Sequence, residues 1–148
     1  MKAKNFTVRE AIYIVCGGRE SDLHNWYAFR SFTYDVQTRE LRLIWAKRDD
    51  DRILREHPSK LILAFQQVSS LEIQPRDPKL PFTEDDCLAN IGYISKELGI
   101  PGVFASDKKP DDEWKWVFDF MSGAQVVMQA KTVEAITEPE QSGGEVRR

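Results

Sequence analysis

The stretch that decides the fold is Trp114-Lys-Trp-Val-Phe-Asp-Phe-Met-Ser-Gly-Ala-Gln-Val-Val-Met-Gln-Ala-Lys-Thr-Val-Glu-Ala-Ile136. Large apolar residues recur at every second position, the period at which a strand shows side chains to one face. Ser122-Gly123 interrupts the run, so the stretch folds back as a hairpin. Two registers compete. A loop of Ser122 and Gly123 alone sets Phe120 opposite Gln125 and Phe118 opposite Val127, which puts glutamine on the aromatic face. A loop of Met121, Ser122 and a left-handed Gly123 sets Phe120 opposite Ala124, Phe118 opposite Val126, Trp116 opposite Met128 and Trp114 opposite Ala130. The second register gathers the apolar residues on one face, and glycine takes the left-handed conformation without steric penalty. We expect this register, because a slip of one residue turns one strand's apolar set to solvent.

Working upstream, a second hairpin of the same kind spans Phe29 to Ala46. A loop of Gln37 to Glu40 pairs Val36 with Leu41, Tyr34 with Leu43 and Phe32 with Trp45, again on one face. Between the hairpins, Leu61, Leu63 and Phe65 alternate, and the alternation breaks at Gln66-Gln67 before Leu71 and Ile73 resume it. That break predicts a bulge or bend near Gln67. Pro75, Pro78 and Pro81 forbid regular pairing further on.

Two segments carry helix signals. Thr7-Val-Arg-Glu10 fits a capping box, and Val8, Ala11, Ile12 and Val15 share a helical face, so a helix is expected, with a buried strand at the β-prone run Ile12-Tyr-Ile-Val15 as the alternative. Thr83-Glu-Asp-Asp86 places acids where a helix start favours them, and Leu88, Ile91, Ile94 and Leu98 follow at helical spacing. A short helix turning into a strand at Ile91-Gly-Tyr-Ile94 is the alternative there. The expected fold is therefore α+β: a mostly antiparallel sheet of five or six strands, flat or curled into a partial barrel, with one or two helices. An all-β roll is the alternative if the first segment is a strand. Residues 1–136 form one domain, and the polar tail 137–148 has nothing to bury and is expected to be mobile.

Composition bounds the function classes. The 148 residues are 41% hydrophobic and 30% charged, ordinary for a soluble globular domain. A net charge of −3 and a pI near 5.5 argue against a general nucleic-acid binder, which shows a basic face. Cys16 and Cys87 lie in apolar surroundings with no second cysteine or histidine at metal-ligand spacing, so they read as small buried hydrophobes of a reducing compartment. Met1-Lys-Ala-Lys-Asn5 leads into a mixed segment and not a signal-peptide core, and no run reaches membrane-spanning length. The expectation is a cytoplasmic, bacterial-style protein with no metal and no cofactor.

Candidate site residues cluster in Arg19-Glu-Ser-Asp-Leu-His-Asn-Trp-Tyr27, a polar stretch between ordered elements. His24 beside Asp22 or Glu20 could serve as a general base, the basis of a small hydrolase or isomerase. Trp26 and Tyr27 precede the strand period and suit an interface anchored by aromatic side chains, with Arg19 beside them. The remaining groups read as structural. His57 precedes a proline in a charged connector, Asp49-Asp-Asp51 and Glu84-Asp-Asp86 suit a solvated loop and a helix start, and Cys16 has only Arg19 nearby to activate it. There is neither a Gly-x-Ser-x-Gly nor a phosphate-binding loop.

Leu61-Ile-Leu-Ala-Phe-Gln-Gln-Val68, Leu88-Ala-Asn-Ile-Gly-Tyr93 and Trp116-Val-Phe-Asp-Phe-Met-Ser-Gly123 together resemble a hydrophobic pattern of small bacterial domains of unassigned role. Immunity proteins of polymorphic toxin systems are among them. The resemblance spans roughly residues 60 to 136 and implies a cytoplasmic partner-binding protein with an acidic surface; it carries no site residue. The leading expectation is thus a non-enzymatic interaction module that binds another macromolecule through a sheet face or the Arg19–Tyr27 stretch. The hydrolase using His24 with Asp22 or Glu20 is the second reading. A small-ligand binder is the third, and it requires an apolar cavity behind Trp116 and Phe118.

Overall fold

A computed structural model describes residues 1–94 and 112–139. The Trp114–Ile136 stretch folds as its alternation dictates. Strand β10 (Lys115–Phe120) pairs antiparallel with β11 (Gln125–Gln129), with Trp116 opposite Met128 and Phe118 opposite Val126. Phe120 N donates to Ala124 O, Gly123 N donates to Phe120 O, and Gly123 sits at φ +83°, so the three-residue loop is the one adopted. The stretch does not continue as one strand. It breaks at Ala130-Lys131, and β12 (Thr132–Glu138) passes into a different sheet and runs two residues beyond Ile136.

The α+β expectation is corrected: strands hold 56% of the described residues and helical turns 2%, so this is a mostly-β fold. The strands form three sheets, none closed into a barrel. Before β10 come β1 (Lys2–Ala3), β2 (Phe6–Arg9), β3 (Tyr13–Cys16), β4 (Arg19–Asp22), β5 (Tyr27–Asp35), β6 (Glu40–Lys47), β7 (Lys60–Gln66), β8 (Ser70–Gln74) and β9 (Leu88–Ile94). One sheet has the order β1-β12-β7-β6-β5, a second β8-β11-β10-β9, and a third β2-β3-β4. All pairs are antiparallel except β1 with β12.

Both helix expectations fail for identifiable reasons. Phe6–Arg9 and Tyr13–Cys16 form a hairpin whose turn holds Glu10 at φ 49° and Ala11 at φ 61°. Left-handed non-glycine residues need support from their surroundings. Here Ala11 is buried and its carbonyl accepts the Ile91 amide at 2.7 Å. The Thr83 segment makes only a single 3-10 turn, Phe82–Glu84, before becoming β9. Leu88 and Ile91 are both fully buried although three residues apart, because the β9–β10 register shifts between Asp119 and Phe120. The added residue imitates helical spacing in the sequence. The continuation beyond Ile94 and the tail from 140 lie outside the described residues.

The bend expected at Gln67 is present: Gln67 takes φ 53°, and β7 leads through it into β8 in the other sheet. The β7–β12 and β8–β11 pairs act as one two-stranded ribbon folded over at this point. Lys131 N to Gln66 O and Ser69 N to Gln129 O carry its hydrogen bonding across the fold. The core lies between the five- and four-stranded sheets. Trp45 packs on Phe118 with centroids 5.9 Å apart, Phe65 packs edge-on against Trp116 at 6.2 Å, and Phe29 lies 4.6 Å from Phe120. The small sheet closes one end, with Phe6 edge-on to Trp116 and Ile14 fully buried.

The second hairpin forms with its register displaced by two residues. Tyr34 faces Leu41, Phe32 faces Leu43 and Phe29 faces Trp45, with a bulge between Phe29 and Ser31. Asp35 decides this. Its Oδ1 accepts the Thr38 amide at 2.9 Å, fixing a turn that excludes Val36 from the ladder. Arg39, at φ 56°, closes the turn and its carbonyl accepts the Val68 amide.

Candidate functional site

The Arg19–Tyr27 stretch is built into the fold and is not an open loop. Gly17 and Gly18, at φ 60° and 76°, form the turn that sends Arg19–Asp22 back as β4 beside β3. Ser21 and Asp22 are buried. The Asp22 carboxylate accepts three hydrogen bonds, from the amides of His24 and Asn25 through Oδ1 and from the Asn25 side chain through Oδ2. It is thereby spent on holding the turn. Leu23, fully buried, donates its amide to Ile12 O, and Trp26 N donates to Asp22 O.

The proposed base and its acids are not brought together. Asp22 holds the His24 backbone, and Glu20 pairs with Arg9 on the surface. The His24 imidazole turns instead toward β9, with Nδ1 2.6 Å from Leu88 O and 3.5 Å from Cys87 Sγ. The Nδ1 proton is committed to the Leu88 carbonyl, so that nitrogen offers no lone pair to the thiol. Burial raises the Cys87 thiol pKa, with Asp86, Glu84 and Asp22 adding to the rise against Arg48. Desolvation and neighbouring acids favour the neutral thiol, the reverse of what an activated nucleophile requires. The Cys87–His24 contact was invisible in sequence because 63 residues separate the two.

The aromatic pair divides. Tyr27 is fully buried and donates its hydroxyl to Pro58 O at 2.7 Å, and burial raises its pKa. Trp26 is half-buried against His57, with ring centroids 4.8 Å apart. His57 is itself buried, its Nδ1 has no hydrogen-bond partner among the described residues, and burial lowers its pKa, helped by Arg19 and Lys47. Arg19 is exposed and lines an open cleft of about 270 Å³ with Cys16, Ser21, Glu56 and Thr137. His24, Trp26 and Tyr27 do not line that cleft. Among the described residues no cluster of three metal-ligating side chains occurs. The space behind Trp116 and Phe118, where a small ligand would sit, is occupied by the rings of Phe65, Tyr93 and Trp45.

The more open surface lies on β5. This strand is the edge of the five-stranded sheet, and residues 30–35 are exposed. Phe32 and Tyr34 face inward, opposite Leu43 and Leu41, yet are 42% and 38% exposed while both leucines are at 0%. Val36 is 79% exposed just beyond. Ile73 of β8, an edge of the four-stranded sheet, stands opposite buried Val126 and is 47% exposed. On β5 and β8 the inner face thus carries apolar side chains that the opposing sheet leaves partly uncovered. Thr33, Asp35, Thr38, Glu40 and Arg42, with Tyr34, line a shallow concavity of about 480 Å³ along the same hairpin. Alternation alone places Phe32 and Tyr34 on an apolar face with Leu41 and Leu43; the edge position of β5 exposes them. No helix among the described residues is long and apolar enough to cross a membrane. No protein-family model, curated protein or solved structure matches this chain.

Proposed function

We propose that this chain is a non-enzymatic interaction module of the cytoplasm that binds a partner protein by adding a strand to the outer edge of β5. The observation that carries the reading is the pair Phe32 and Tyr34, inward-facing apolar side chains left 42% and 38% exposed on an edge strand. Unpaired strand edges offer main-chain donors and acceptors to an incoming strand, and alternate side chains then enter the apolar strip. The Cys87 thiol held neutral and the His24 ring bonded to Leu88 O favour this over the hydrolase reading. The resemblance to toxin-immunity domains agrees with it.

A photo-crosslinking side chain in place of Phe32, expressed in the native cell, tests the reading. Covalent capture of a protein is expected there, and not from the same group at exposed Gln67. Equal capture at both positions, or none at Phe32, removes it.

A further inference from the structure

We infer that the partner at this edge is a second copy of the chain, the two β5 strands pairing antiparallel across a two-fold axis so that their five-stranded sheets become one. The inference rests on the edge-strand reading above and names the occupant.

Three observations converge. The first is which edge is free to pair. β8 carries Glu72 at its centre and runs into Pro75, and β1 is two residues long, so both are poor templates. On β5, Ser31-Phe-Thr-Tyr34 has neither charge nor proline. Its outer side is engaged at Phe29, whose amide donates to Asp86 O at 2.8 Å, and no hydrogen bond among the described residues engages it over Ser31–Tyr34. The bulge after Phe29 precedes this segment and does not interrupt it.

The second is self-complementarity. A two-fold interface brings one patch against itself, so the strand must match its own reverse. Because the axis stands perpendicular to the sheet, side chains that face inward in one copy face inward in the other. Centred on Thr33, antiparallel pairing sets Phe32 of each copy opposite Tyr34 of the other, twice. Both pairs lie on the face that carries Leu41 and Leu43, so the apolar strip is continuous across the junction.

The third is charge. The neutral segment is flanked by Arg30 on one side and Asp35 on the other, both exposed. Arg30 makes no ion pair among the described residues, and the Asp35 carboxylate spends Oδ1 on the Thr38 amide. In that register each Asp35 stands opposite the other copy's Ser31, with the bulged Arg30 the next residue along. One rotation thus brings opposite charges near each other twice, once on each side of the axis.

Sedimentation velocity across a concentration series of the full chain is the test. Dimers are expected for the wild type. Arg30→Asp, which puts a like charge near the other copy's Asp35 and leaves the Asp35–Thr38 turn intact, should weaken the dimer by about tenfold. Thr33→Glu, which sets like charges together at the axis, should leave monomers with an unchanged circular-dichroism spectrum. A monomeric wild type overturns the inference, as does a dimer that neither Arg30→Asp nor Thr33→Glu weakens. If the wild type is monomeric while the Phe32 crosslinker captures a different protein, the occupant is wrong and the edge-strand reading stands.

Discussion

Asp22, Tyr27 and His57 show how single residues tie a polar stretch into an all-β core. Asp22 reads in sequence as half of a catalytic pair and serves in the structure as the acceptor for three donors of its own turn. Tyr27 reads as an exposed anchor and is a buried donor to Pro58 O. Tyr27→Phe keeps the ring and leaves that buried carbonyl unpaired, so urea denaturation should show a loss of about 1–2 kcal/mol. His57 supplies a pH dependence. Burial first, then Arg19 and Lys47, lower its pKa below the ordinary 6.5, so the folded chain holds it neutral where the unfolded chain takes up a proton. Its contribution to stability is therefore complete above pH 6.5 and is lost as pH falls from there through the lowered folded value. Denaturation midpoints at pH 7.5 and about 5.5 should separate in the wild type, and the separation should shrink in His57→Gln. None of these partners was legible in sequence. Pro58 lies 31 residues from Tyr27, and no local pattern records which carbonyl a hydroxyl will meet.

At the scale of elements, local chemistry and alternation reach some boundaries and stop at others. The β10–β11 register was legible because glycine, turn length and apolar parity all point the same way. Gly123→Ala places a Cβ 3.5 Å from Asp77, which the site accommodates, but at φ +83°. The cost is then the backbone conformation itself, and thermal or urea unfolding should show about 1 kcal/mol of destabilisation. The β5–β6 register was misread by two residues because cross-strand apolar pairing was weighed without the Asp35–Thr38 turn, which fixes where the ladder begins. The two helices were misread because Leu88 and Ile91 are separated by a bulge, and because Glu10 and Ala11 turn left-handed in a hairpin that β9 holds in place. A period of three or four residues marks a helix only where the strand ladder is regular.

At the scale of the whole molecule, the folded ribbon β7-β8/β11-β12 links two sheets and leaves β5 and β8 at their margins. The apolar residues there are only partly covered by the fold. Tyr34→Lys should change unfolding free energy by no more than about 0.5 kcal/mol, as for other surface positions. The same substitution should abolish association at the β5 edge, measured by sedimentation. A loss of several kcal/mol would instead mark Tyr34 as part of the core.

Taken by itself, the sequence determined the antiparallel strands, the Met121–Gly123 hairpin loop and the bend at Gln67, because each depends on residues adjacent along the chain. Tertiary structure alone decided that the first segment and Leu88–Ile94 are strands, that Asp22 and Tyr27 are spent inside the fold, and that Phe32 and Tyr34 are exposed. Alternation states which face a side chain takes. Whether another sheet covers that face depends on where the strand falls in the sheet order, a relation among residues far apart in the chain.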